Sequence, residues 1–209
     1  MKKILISCTV VYLLSLFLLG MSYVTFDTWL YPVRSGIPTI FQRNTEYWSR
    51  MSTPVVATDR LYLLYDNLGI IKVYDLRGSY LYSINFSNNG HRGTSNLYAM
   101  GDELLFQIGG HSGFYYFKSD QFVGFYPDKT IKEIGVNLTT NCSDYRSEKD
   151  SNGNSYRIDG ASIIREDPTG VETVFIRRAS WLQLYQNNSF VVIMIVSFFS
   201  MAFIIKREQ

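Results

Sequence analysis

Residues 54–86, PVVATDRLYLLYDNLGIIKVYDLRGSYLYSINF, decide the fold. Short apolar and aromatic runs alternate here with turn formers. Residues 54–57 stop at Thr58 and Asp59, and 60–65 stop at Asp66, Asn67, Leu68 and Gly69. Residues 70–74 stop at Asp75, Leu76, Arg77 and Gly78, and 80–86 form the fourth run. β-branched and aromatic side chains suit a pleated, half-buried surface, while Asp, Asn and Gly supply tight reversals. Four strands joined by three short turns predict an antiparallel β-meander.

The plan recurs about 43 residues further on, taking Asp59 onto Asp102, a repeat of the length expected for blade-like units. Strands are predicted over 96–100, 103–108, 114–118 and 122–126, with Gly109, Gly110, His111, Ser112 and Gly113 as the middle turn. A third, more degenerate unit spans 142–177, with strands over 155–158, 162–165 and 171–176. Its Asp167-Pro168-Thr169-Gly170 turn repeats the Asp-x-x-Gly spacing of Asp75 to Gly78. The whole chain holds 16 Tyr and 14 Phe, and those outside the termini cluster in these runs, which favours strands over helices. The run Phe114, Tyr115, Tyr116 and Phe117 alternates little and is predicted to be buried on both faces.

Leu61-Tyr62-Leu63-Leu64-Tyr65-Asp66, Ile71-Lys72-Val73-Tyr74-Asp75 and Gly78-Ser79-Tyr80-Leu81 resemble the NHL-type repeat, a β-propeller blade. The resemblance covers about half the chain and implies propeller-like meanders and a habit of binding partners on one face. It implies no fixed activity. A closed propeller takes about 4–8 blades, and three units are visible. Residues 27–53 add a strand around 36–41 but no full meander. An open stack leaves sheet edges exposed, so a protein partner or self-association is expected.

The ends carry a different signal. Residues 4–26 are uncharged, and 189–205 are apolar all round and extend through Trp181, Leu182, Leu184 and Tyr185. About 20 apolar residues cross a hydrocarbon core of about 30 Å. The first run exceeds the roughly 7–15 apolar residues of a cleaved signal peptide and lacks a small-x-small cleavage site, so an uncleaved anchor is favoured. For the second, all-round apolarity favours lipid over a one-sided buried core helix. Lys2, Lys3, Lys206 and Arg207 against Glu208 give the tails +3; the remaining 16 cations and 17 acids give the middle −1. By the positive-inside rule both tails are cytoplasmic. The expectation is an all-β extracytoplasmic domain of four-stranded, propeller-blade-like meanders, flanked by N- and C-terminal transmembrane helices. Its parts are a span over 4–26, a connecting segment 27–53, the β domain 54–179 and a span over 182–205. The expected location is a cell membrane, crossed twice, most simply in a bacterium, with the lipid bilayer as one partner. Cys8 falls in the first span, leaving Cys142 without an intrachain partner in the middle. A near-neutral middle excludes nucleic acid as a partner, since phosphate binding needs a concentrated basic face.

Chemistry is sparse. No phosphate-binding Gly-x4-Gly-Lys loop, Cys-x-x-Cys, His-Glu-x-x-His or Gly-x-Ser-x-Gly elbow is present. In a blade, the loop between strands two and three shares a rim with the loop leading to the next blade. His111 lies in the first kind and His91 in the second, with Asp66, Asn67, Arg92 and Asp159 on the same rim. Two imidazoles and a carboxylate suit a metal or acid–base work. Solvated residues in Gly-rich turns are the simpler reading, because loop spacing predicts proximity poorly. No catalytic residue, metal ligand or cofactor is therefore assigned, and the six residues stand as a candidate binding rim. The leading function is a non-enzymatic, membrane-anchored binding or assembly module of a larger complex. The rival is a membrane-tethered hydrolase of envelope polymer or lipid working through the two histidines.

Overall fold

The computed structural model describes residues 2–21, 30, 37–47, 49, 51–52, 54–57, 59–65, 68–86, 96–100, 103–107, 113–127, 149–182 and 189–208. Strands dominate between two helices, α1 (Lys2–Met21) and α2 (Ser189–Glu208). The first sheet holds β1 (Thr39–Phe41), β2 (Val55–Ala57), β3 (Arg60–Tyr65), β4 (Ile70–Asp75) and β5 (Tyr80–Asn85) in the order β1-β5-β4-β3-β2. The second is β6 (Asn96–Met100), β7 (Glu103–Gln107), β8 (Gly113–Lys118) and β9 (Gln121–Pro127), in sequence order. The third is β10 (Ser155–Asp159), β11 (Ser162–Glu166) and β12 (Glu172–Ile176). The strand expected around 36–41 is β1, which pairs antiparallel with β5, Thr39 opposite Asn85.

Side-chain alternation sorts the core. On one face of the five-stranded sheet, Tyr62, Leu64, Ile71, Val73 and Ile84 pack with Leu97, Leu104, Phe106, Tyr115 and Phe117 of the four-stranded sheet. Phe86 sits at that junction, with ring centroids 4.1 Å from Phe106, 5.4 Å from Tyr115 and 5.6 Å from Phe117. On the other face, Leu61, Leu63, Tyr65, Ile70 and Tyr74 meet Tyr156 and Ile163 of the three-stranded sheet, together with Phe41, Tyr47 and Met51. No buried cluster among the described residues joins the four- and three-stranded sheets, so the described sheets form a stack of three with no closed propeller ring. Phe114 to Phe117 are buried throughout: Tyr115 and Phe117 face the central sheet, and Phe114 and Tyr116 join Tyr98 and Leu105 on the opposite side.

The Asp-x-x-Gly turns share one geometry. Asp75 Oδ1 accepts the N–H groups of Arg77 and Ser79 at 2.9 and 2.8 Å, and Gly78, at φ +90°, donates to the Asp75 carbonyl. Asp167 Oδ1 accepts from Thr169 and Val171, with Gly170 at φ +85°. Asp150 Oδ1 accepts from Asn152 and Asn154, with Gly153 at φ +80°, a third copy of the turn. The side chain ties down the orphan donors of the reversal, and glycine supplies the left-handed residue.

The expected transmembrane helices are corrected. Among the described residues no helix is long and apolar enough to cross a membrane. α1 opens on Lys2 and Lys3, and α2 closes on Lys206, Arg207 and Glu208. Within the described residues the uncharged parts of the helices, 4–21 and 189–205, are below the about 20 residues that a span ordinarily takes. Residues 22–26 of the predicted first span and 183–188 of the second lie outside the described residues, and Leu182 belongs to a 3₁₀ turn, Ser180–Leu182. The two-pass membrane location falls with the spans. The helices instead pack on each other: Tyr12 and Phe198 ring centroids are 6.0 Å apart, and Thr9 Oγ1 donates to Met201 Sδ at 3.2 Å. Buried Ser15 and Ser197 satisfy their hydroxyls on the carbonyls of Val11 and Ile193.

Two outcomes are expected. A Cβ on Gly78 would stand 3.1 Å from the Phe175 carbonyl of β12, whereas one on Gly170 would meet nothing within 4 Å. Gly170→Ala then costs only the left-handed strain, about 1–2 kcal/mol, and Gly78→Ala costs more, as urea melts of the two variants will register. The second concerns acid. At Asp75 and Asp150 partial burial pushes the pKa up, but the hydrogen bonds donated to each carboxylate outweigh it and hold it below its ordinary value. At Asp167 the bonds from Thr169 and Val171 dominate, with the same result. A carboxyl whose folded pKa is depressed stabilises the fold above its unfolded pKa and loses that contribution as pH falls through the folded value. Circular dichroism should show stability dropping below about pH 4, less steeply when Asp150 is Asn.

Candidate functional site

Of the predicted rim, Asp66, Asn67, His91, Arg92 and His111 lie outside the described residues. Asp159 ends β10, is exposed, and lies 3.9 Å from Arg157, which also holds Glu172 at 2.8 Å. It belongs to an ion network on the open face of the three-stranded sheet. Among the described residues no group of His, Cys, Asp and Glu is arranged to hold a metal.

Two other polar constellations are built by the sheet packing. The first clasps the central sheet to the four-stranded one. Asp120 pairs with Arg60 of β3 and accepts the Tyr82 hydroxyl of β5 at 2.5 Å, while Arg60 Nη1 donates to that hydroxyl at 3.2 Å. Burial and the bond to Asp120 push the Tyr82 pKa far up, so the phenol stays a donor. Asp120 reaches this position from a two-residue turn in which Ser119 and Asp120 have φ of +48° and +64°. Both positions of such a turn favour Asn and Gly, so the clasp is held at the expense of backbone strain.

The second lies on the opposite face, where residues 42–47 pack over the central sheet. Lys72 of β4 is 1% exposed and ringed by tyrosines, with Nζ 5.0, 5.8 and 5.9 Å from the ring centroids of Tyr47, Tyr65 and Tyr80. It donates to Asn44 Oδ1 at 2.9 Å. Aromatic faces stabilise a desolvated ammonium through their quadrupoles. Arg178, just beyond β12, lies with Cζ 5.3 Å from the Tyr65 ring centroid. Its Nε donates to Glu46 at 3.1 Å and its Nη2 to the Tyr47 carbonyl at 2.5 Å. Tyr80 completes the seam by donating to the Arg43 carbonyl at 2.9 Å. The Tyr65 pKa is pushed up to about 12 by burial, with Arg178 pulling down and Glu46 pushing up. The Tyr74 pKa is raised by burial as well.

Sequence reasoning did not pick out this cluster. Lys72 at the centre of an otherwise apolar strand was its visible signal, while Arg178 is 131 residues from the Tyr47 carbonyl it holds. No protein-family model, curated protein or solved structure matches the chain. The NHL-type resemblance therefore rests on the quoted blade residues alone.

The clasp makes its own test. Asp120→Ala removes charge-assisted hydrogen bonds and should cost about 1.5–3 kcal/mol in chemical unfolding. Asp120→Gly loses the same bonds but relaxes the left-handed turn, so its loss should be smaller by about 1 kcal/mol. Equal losses would mean that the turn carries no strain.

Proposed function

We propose that this chain is a non-enzymatic binding and assembly subunit that joins a larger protein complex. The observation that carries this reading is the surface of the α1/α2 pair. Eight large apolar side chains on α1 and eight on α2 are exposed, among them Ile6, Phe17, Phe199 and Phe203. Together they make a patch on the order of 1,000 Å², where a monomer ordinarily exposes a few hundred. Apolar surface of that extent drives association because covering it removes it from water.

The sheets support the same reading. Among the described residues β9 and β12 are edge strands, exposing Val123 and Phe125 on one and Val174 on the other. Unpaired edges with apolar side chains are templates for strand addition by another chain. The hydrolase alternative rests on His91 and His111, for which no described geometry speaks.

The full chain, isolated under gentle conditions, is expected to run as a stoichiometric complex by size-exclusion chromatography with light scattering. Phe199→Glu with Phe203→Glu on α2 should release it, and alanine at His91 and His111 should leave it intact. A chain that runs as a monomer with α2 unaltered, or that loses function only with the histidines, would sink the proposal.

A further inference from the structure

The α1/α2 pair is built inside out. Among its described residues the buried side chains are two serines, Ser15 and Ser197, whose hydroxyls turn back on the carbonyls of Val11 and Ile193. Ile6, Leu13 and Phe17 on α1, and Val196, Phe199 and Phe203 on α2, are each more than half exposed. Two helices standing alone in water would be arranged the other way, because burying a hydroxyl gains little and burying leucine or phenylalanine gains much. Helices that are apolar on their outer sides are helices whose outer sides are covered.

The surface fixes what covers it. No charge lies within 4–21 or 189–205, so the covering surface is itself uncharged and apolar. The same pair on another copy is such a surface, and a patch meeting itself across a two-fold axis is the commonest way that soluble chains oligomerise. A stable dimer needs about 800 Å² from each partner, which an apolar patch on the order of 1,000 Å² supplies. Charge then sets the orientation. The helices run antiparallel, Thr9 against Met201 and Tyr12 against Phe198, so Lys2, Lys3, Lys206 and Arg207 gather at one end, opposed only by Glu208. A parallel partner would pool two such ends. An antiparallel one holds them about 30 Å apart, well beyond the screening length of about 8 Å at physiological salt. We infer that a second copy of this chain covers the α1/α2 pair, hairpin against hairpin in the antiparallel sense, as a symmetric four-helix bundle. This identity of the partner rests on the assembly reading proposed above for the same surface.

Two differently tagged copies of the full chain, produced together in a host that supplies no natural partner and held in detergent-free buffer, test this. Either tag should retrieve the other, and light scattering should give one species of twice the chain mass. Phe17→Glu on α1 should reduce that mass to a single chain while the strand signal in circular dichroism stays unchanged. The dimer should persist at low salt. A dimer that forms only at high salt would bring the basic ends together and overturn the antiparallel arrangement. A chain that is monomeric alone, yet found in a complex when isolated from its source, has a different protein as its partner; the second copy then fails while the assembly reading stands. A monomer in both settings sinks both. Single chains recovered only in detergent micelles or on lipid vesicles, or aggregates of no defined mass, overturn the second copy as well.

Discussion

The central five-stranded sheet is covered on both faces, and every other part of the molecule follows from that. A sheet with one wet face can alternate apolar and polar residues; one buried twice over cannot. β3 and β4 accordingly bury nearly every position, sending Tyr62, Leu64, Ile71 and Val73 to one neighbour and Leu61, Leu63, Tyr65 and Ile70 to the other. Lys72 is the exception in the middle of β4. Its ammonium is tolerable only because three tyrosine rings and Asn44 replace water around it. β1, residues 42–47 and Met51 thus serve as the cover that makes a buried cation possible, β1 also supplying an edge strand.

How much of this was legible in the sequence depends on the range of the interaction. The meanders were, because their strands pair with immediate neighbours and their turns are written in Asp, Asn and Gly. Asp75 to Gly78 and Asp167 to Gly170 announced themselves by spacing, and Asp150 to Gly153 carries the same Asp-x-x-Gly spacing. The two-faced burial of Phe114 to Phe117 was also visible, as a run with no polar alternation. What escaped was long-range. Nothing local says that Asp120 will meet Arg60, or that Arg178 will seek the Tyr47 carbonyl. The transmembrane expectation counted through 22–26 and 182–188, whereas the described helices are Lys2–Met21 and Ser189–Glu208.

The two polar constellations sit on opposite faces of the central sheet and do different work. The Asp120 clasp fixes how the four-stranded sheet is set against the central one, using a strained turn as its arm. The Lys72 and Arg178 cluster fixes the cover strand segment and the departure of the chain after β12. Between them they give orientation to an interface that aromatic packing alone would leave free to slide, since rings such as Phe86 and Phe106 tolerate several offsets.

The chain's order of assembly is implied by its connectivity. Each of the three meanders closes through contacts between residues near in sequence, and such loops form quickly because little chain entropy is lost in bringing their ends together. The grip of Arg178 on Glu46 and Tyr47 instead joins points 132 and 131 residues apart. That seam closes after the hairpins and can open while they stay intact, so a protease meeting the native molecule would gain entry near residues 42–47.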